Sequence, residues 1–480
     1  MGLKNKLKRL LGGRYGTLLM NTLLFGLSTF SSKFLGLIMM KFYTAHMTPA
    51  ETGVADLIAT TANLLTPIAA LGITDSIVRF GLDKETDKKD VLSTGLTVLT
   101  CGFSVLLLCF PLVRLYENTG SYTWLIYLYV LAACLKAIIS QFVRSQGHVK
   151  LFAIDGILST LYVVGLNILA LGVFDFGVTG YILSTVLADF ISSITLFIIC
   201  KLWRFVKFKV DKKVLKAMII YSLPMIPNTI CWQITNTSDR YMVTYFCGVE
   251  VNGIFAVACR IPSVITAVSV IFNRAWQMSA FKDEAREVKI DFYSTVFKLY
   301  QTAIFAAMGG IILLVQPLTR LLVTGEAYFT SWQYAPFLIV AVGFSCFSTF
   351  LGTIYMDSKK NLMAMVTTMA GAGVNVILNL ILIPIFGPNG GAFATFFSYF
   401  TMVVLRLINT RKMLPLRFGP VRLFGCTVVV LLQCLVCIGQ GNIPYAIPLQ
   451  CGLVLGMVLL QGLPLLKEVK GKKLLRKPAR

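Results

Sequence analysis

Apolar runs long enough to cross a bilayer recur from one end of this sequence to the other, and no other feature restricts the possible folds so severely. A helix needs about 20 mostly apolar residues to span the hydrocarbon, where the backbone must satisfy its own hydrogen bonds in helices or in a closed barrel. Barrel strands would read as alternating segments of about 10 residues. Here the stretches from Val91 to Pro111 and from Val421 to Ile438 are continuous, so helices are expected. With 56% hydrophobic residues and a mean hydropathy of +0.77, the chain carries more apolar surface than a soluble core of 480 residues needs.

Spans are expected near 15–44, 50–80, 90–115, 121–145, 150–174, 178–203 and 214–246, then near 250–276, 293–324, 330–356, 361–386, 389–413, 421–440 and 444–467. The net charge of +23 would suggest nucleic acid in a soluble protein, but its placement decides otherwise. Of the 44 basic residues, 34 fall at the two termini and in the even-numbered connections, as in Lys4 to Arg14, Lys201 to Lys216, Arg406 to Arg422 and Lys467 to Arg480. The odd connections Met47 to Glu51, Glu117 to Tyr122, Gly248 to Asn252 and Gly387 to Gly391 hold no lysine or arginine. This positive-inside alternation puts both termini in the cytoplasm and supports about fourteen spans, because one missed helix would swap every later loop. No nucleic-acid partner is implied. The first apolar stretch lacks a small-residue cleavage site and is expected to stay as a helix. The twelve cysteines fall almost entirely within spans, which implies no disulfide framework, and the Cys434 and Cys437 pair reads as packing in an apolar helix.

The chain looks duplicated. Pro111-Leu112-Val113-Arg114-Leu115 closes the third span and Pro317-Leu318-Thr319-Arg320-Leu321 closes the ninth. Thr52-Gly53-Val54 matches Asn252-Gly253-Ile254, and Phe176-Gly177-Val178-Thr179-Gly180 matches Phe386-Gly387-Pro388-Asn389-Gly390. Each unit holds an even number of spans, so the copies form a parallel repeat about an axis along the membrane normal. The expected architecture is an all-α polytopic membrane protein of two six-helix lobes plus two C-terminal helices. Its parts are a basic cytoplasmic N-terminus (1–14), an N-lobe (15–203), a basic linker (204–213), a C-lobe (214–413), a closing helix pair (414–467) and a basic tail (468–480).

Ten basic residues lie inside spans. Lys41, Arg114 and Arg320 are close enough to a surface to snorkel, and Lys136 and Lys298 can reach cytoplasmic headgroups. Arg260 lies about ten residues into the eighth span, or about 15 Å deep, and Lys33 is similarly central in the first. A charge at that depth costs roughly 2.5–3.5 kcal/mol on insertion scales, so it should face a wet cavity or an anion. Lys33, Arg79, Arg240, Arg260 and Arg274 are therefore candidate ligands for an anionic cargo, and arginine suits phosphate oxygens with two parallel donors. Asp239 can neutralise a neighbouring arginine, and Asp75 sits four residues before Arg79 on the same helix face. Asp56, Asp155 and Asp189 fit ion or proton sites as well as helix-pairing polar groups. Loops are short and contain no nucleotide-binding or metal motif, so neither a cofactor nor an enzyme such as a glycan polymerase or ligase is indicated.

Tyr221-Ser222-Leu223-Pro224-Met225-Ile226-Pro227-Asn228, followed by Asn236-Thr237-Ser238-Asp239-Arg240-Tyr241, resembles the signature of the Wzx-like polysaccharide-biosynthesis flippases of bacteria. The likeness continues through Gly248, Gly253 to Ala258 and Arg260, and is carried earlier by Ser31 to Gly36, Thr48 to Gly53 and Ser76 to Gly81. The resemblance implies a bacterial inner-membrane flippase of the multidrug, oligosaccharidyl-lipid and polysaccharide exporter superfamily. Such a protein has two lobes around a cavity and moves an undecaprenyl-diphosphate-linked oligosaccharide to the outer leaflet by alternating access. It also implies membrane lipid, glycosyltransferases and a polysaccharide polymerase as partners. Spans thirteen and fourteen would hold the lipid tail, although Gly452 and Gly456 there also suit plain helix packing. A drug or cation exporter of the same superfamily is the competing expectation; it would want acidic and aromatic groups in the cavity.

Overall fold

The computed structural model describes the backbone of Gly26 and residues 32–475, apart from Lys84, Tyr116, 208–209, Pro224, 281–285, Lys359 and 440–444; side chains at Met225, 274–275, 277–280, Asn361 and 463–475 are outside the description. Every regular element among the described residues is helical. The principal ones are α1 (32–46), α2 (Pro49–Ala69), α3 (Ile73–Leu82), α4 (Lys88–Leu108), α5 (Thr123–Ser145) and α6 (Val149–Asn167). Next come α7 (Gly177–Ile199), α8 (Lys212–Ser222), α9 (Met225–Cys247), α10 (Val249–Ala258), α11 (Ser263–Ala280) and α12 (Arg286–Leu313). The last five are α13 (Ala335–Asp357), α14 (Asn361–Phe386), α15 (Pro388–Thr410), α16 (Pro420–Ile438) and α17 (Ala446–Leu475).

Helix starts follow from side chains that satisfy the first free N–H groups. Thr48 and Glu51 form a reciprocal capping box ahead of α2, with Pro49 in its first turn. Asp87 caps α4 by accepting from Lys89 N at 3.0 Å, and Asp211 caps α8 by accepting from Lys213 N at 2.8 Å.

Among the described residues nine helices are long and apolar enough to cross a membrane, and three bent pairs bring the number to twelve. The expected first and last spans extend beyond the described residues; α1 and the apolar stretch Ala446–Gly462 are their described parts. The chain is an all-helical, multi-pass membrane protein. Three expected spans differ from the continuous helices read in the sequence. The second breaks between α2 and α3 with a 51° bend, the seventh between α8 and α9, and the eighth between α10 and α11 with a 47° bend. The first break is built on left-handed backbone at Leu71 (φ 47°) and Gly72 (φ 62°). Pro262, just before α11, accounts for the last, since it cannot donate a helical hydrogen bond.

Two compact units divide the chain, Met1–Ala256 and Val257–Arg480. In the first, Ile126, Val130, Ile138 and Phe142 of α5 are completely buried, whereas the α6 span has only 17% of its apolar window buried and turns the rest outward. In the second, α13 is the centre, with 78% of its window buried. Its Phe344, Phe347 and Phe350 stack into neighbours, Phe350 lying 5.1 Å from Phe297 and Phe344 5.3 Å from Phe396 between ring centroids.

The duplication reaches the hydrogen bonds. In the first unit the Lys207 main-chain N–H donates to Ser93 Oγ at 2.7 Å while its Nζ reaches Asp87 at 2.6 Å and Asp90 at 3.3 Å. In the second, Arg417 N–H donates to Ser294 Oγ at 2.8 Å and its guanidinium reaches Asp291 at 2.9 Å. Asp90 and Ser93 correspond to Asp291 and Ser294 in a shared K-x-D-x-x-S-T pattern, so α4 and α12 carry the same clasp at their N-terminal ends. Lys207 depresses the Asp87 carboxyl below its ordinary range, chiefly through that hydrogen bond. The serines are 2% and 3% exposed. Ser93→Ala or Ser294→Ala therefore strands a main-chain donor, and each should cost about 1–3 kcal/mol. Thermal unfolding of the purified variants in detergent checks this, and unchanged midpoints would show that the clasps contribute nothing.

Candidate functional site

The structure joins two of the expected charged residues directly. Arg240 on α9 and Asp56 on α2 form an ion pair, Nη1 to Oδ1, in the first unit. Their side chains keep only 19% and 11% of their exposure, so little water screens the pair. Asp56 Oδ2 is buried with no hydrogen-bond partner among the described residues. Asp239 is 3% exposed and accepts from the Arg240 main-chain N–H at 2.9 Å. A carboxylate on another helix thus pairs with the arginine side chain.

The contact belongs to a polar seam between α2 and α9. Thr61 Oγ1 and Tyr241 OH share a 2.7 Å hydrogen bond, and Gln233 Nε2 donates to the Asn63 carbonyl at 3.0 Å. At the far end Ser76 Oγ on α3 donates to Met218 O on α8 at 2.8 Å. The two bent spans are thereby paired antiparallel over much of their length.

Arg260 sits in the turn 259–262 that separates α10 from α11. Non-helical backbone at membrane depth persists only where protein buries it or where it lines a wet cavity, and such breaks in transporters carry ligand contacts. Lys33 on α1 and Arg79 in the last turn of α3 are exposed on the chain surface. Asp75 is exposed as well and makes no ion pair with Arg79. Arg274 lies in α11, and its side chain is outside the described residues.

Residues 18–281 match the model of a family described as polysaccharide biosynthesis protein. The chain belongs to the polysaccharide biosynthesis protein family. No curated protein matches the sequence. Among solved structures, it is similar to one described as lipid II flippase MurJ in an inward closed conformation, with a TM-score of 0.68 at 16% identity over 95% of this chain and 100% of that one. It is similar too to an outward-facing multidrug resistance MATE family transporter of the MOP superfamily, with a TM-score of 0.59 at 15% identity over 88% and 98%. A third is a MOP superfamily transporter from Pyrococcus furiosus, with a TM-score of 0.55 at 12% identity over 85% and 96%. These likenesses fix the fold as that of the exporter superfamily.

Two charged centres in this family member were misjudged from sequence. Arg406 was counted with the loops because it lies near the end of an apolar run, yet it is 3% exposed within α15. Its Nε donates to Thr367 Oγ1 at 3.1 Å, one terminal nitrogen to Ser348 O at 2.6 Å and the other to Thr368 Oγ1 at 3.1 Å. It forms no ion pair among the described residues and staples α13, α14 and α15 through neutral oxygens. Lys136 does not reach for headgroups. It pairs with Asp189 at 2.5 Å and donates to Ser159, while Ser192 holds Asp155 at 2.6 Å, a polar junction of α5, α6 and α7. Gly452 and Gly456 on α17 face open space, so close helix packing does not explain them.

Removing one partner of the Arg240 and Asp56 pair should destabilise the fold by about 3 kcal/mol, because the other charge is left without its counter-ion. The double variant Asp56→Asn with Arg240→Gln should recover most of that loss. A double-mutant cycle on detergent-solubilised protein measures the coupling, and strictly additive losses would mean that the pair contributes none.

Proposed function

We propose that this protein moves an undecaprenyl-diphosphate-linked oligosaccharide from the cytoplasmic to the outer leaflet by alternating access. The position of Arg260 carries the reading. A cation held in a mid-span helix break meets cargo together with loosened main-chain groups, and guanidinium matches diphosphate oxygens bidentately. Arg240 adds an exchangeable contact: its partner Asp56 is a carboxylate that an incoming phosphate can replace. Arg79, Arg274 and Lys33 complete the proposed cationic set. Asp239 and Asp75 are proposed to moderate it, and the polyprenyl tail remains in lipid with the last two spans beside it.

The same reading places both termini in the cytoplasm of a bacterial inner membrane and makes glycosyltransferases and a polysaccharide polymerase its neighbours. Family membership and fold support transport. A drug or cation exporter of the same fold is the competing function, supported by the multidrug transporters among the similar structures.

In cells depleted of the protein, diphosphate-linked glycan lipid should accumulate in the cytoplasmic leaflet. Wild type should restore its translocation and Arg260→Ala should reduce it at least about tenfold, as loss of one strong phosphate contact implies. An unchanged leaflet distribution on depletion would overturn the flippase reading. Loss of efflux in Asp56→Asn with normal glycan export would establish the exporter instead.

A further inference from the structure

One face of α9 is polar with very little charge. Thr229, Gln233, Asn236 and Arg240 follow one another at i, i+4, i+7 and i+11, so they share one side of the helix. Thr229 and Asn236 are exposed, and Gln233 is half-buried. Asn63 of α2 joins this stripe: Gln233 Nε2 donates to its carbonyl at 3.0 Å, and the residue itself is exposed. Asn228 and Trp232, four residues apart, lie along one flank, and Asn228 Oδ1 is buried with no hydrogen-bond partner among the described residues. No lysine or arginine occurs between Lys216 and Arg240.

We infer that this stripe holds the sugar of the cargo, an uncharged ring joined to the diphosphate, and so helps to set which glycan is accepted. The inference rests on the proposed flippase reading and deepens it at the same site. Asn236 stands one turn from Arg240, and Gln233 is seven residues or about 10 Å from it, so a diphosphate held at Arg240 would lay its first sugar along these groups. Each amide offers a donor and an acceptor side by side, as neighbouring ring hydroxyls do, and the half-buried Trp232 offers an apolar surface to the face of a ring. The donors rest on main-chain carbonyls, Asn236 Nδ2 on Trp232 O at 2.8 Å and Gln233 Nε2 on Asn63 O, contacts that a hydroxyl can take over. An acidic sugar would require a cation along the stripe, and α9 has none before Arg240. Helix packing does not account for these groups. Asn63 and Asn236 are exposed, and amides at span depth need water or a ligand rather than lipid.

The experiment uses the purified full-length chain in detergent and three probes: undecaprenyl diphosphate, the same lipid carrying a single N-acetylhexosamine, and the same lipid carrying a single hexuronic acid. Native mass spectrometry gives the affinity for each. Wild type should bind the N-acetylhexosamine lipid about tenfold or more tightly than the bare lipid, and the hexuronic acid lipid no more tightly than the bare one. Asn63→Leu and Asn236→Leu keep the bulk but lose the amide, and each should cut that preference about fivefold. Should either leucine variant fail to fold, Asn63→Ser or Asn236→Ser shortens the side chain instead and should give the same loss. Equal affinity of wild type for the bare and N-acetylhexosamine lipids overturns the inference while leaving the flippase reading in place. So does a preference that persists undiminished in both variants. Tighter binding of the hexuronic acid lipid than of the N-acetylhexosamine lipid overturns the uncharged sugar. Wild type that binds none of the three probes overturns the flippase reading itself, and the inference with it.

Discussion

Hydrocarbon offers no hydrogen bonds, and the rest of this structure depends on that constraint. It makes every described element a helix. It also makes each departure from helical geometry informative, because a break at membrane depth survives only with compensation. The left-handed turn at Leu71 and Gly72 and the turn around Arg260 are such departures. The same rule governs charge. Arg406 is tolerated because hydroxyl and carbonyl oxygens surround its guanidinium, whereas Arg240 is held by a carboxylate from a different helix. The first arrangement saturates the arginine within one bundle. The second pairs it across two helices with a carboxylate.

These two treatments of arginine divide the molecule by task. Around α13 the interior is aromatic and closed, with Arg406 fastening three helices. Along α2 and α9 polar contacts recur, and both spans are bent.

Long continuous apolar runs made the helical, multi-pass course of the chain legible, because they report directly on the lipid solvent. The repeats were legible where they preserve a special backbone: Gly177 and Gly387 both adopt positive φ, at 50° and 60°. The clasp repeat was harder to see, since Asp90 and Ser93 act through Lys207, more than a hundred residues away. Partner choice was illegible for the same reason. Asp239 adjoins Arg240 in sequence, yet the ion pair goes to Asp56, 184 residues distant. Breaks were missed because the hydropathy of two short helices in series equals that of one long helix. Arg406 and Lys136 were misread because depth along one helix says nothing about what its neighbours offer.

The two clasps also set leash lengths. From the pinned Lys207 only four residues lead to Lys212 at the start of α8, and from Arg417 only two lead to Pro420 at the start of α16. Fully extended, those tethers reach about 17 Å and about 10 Å. The helix that opens the seventh span is therefore allowed a longer reach from its anchor than the one that opens the thirteenth. Two halves built to one plan thus differ in how far the next helix can stray from its anchor.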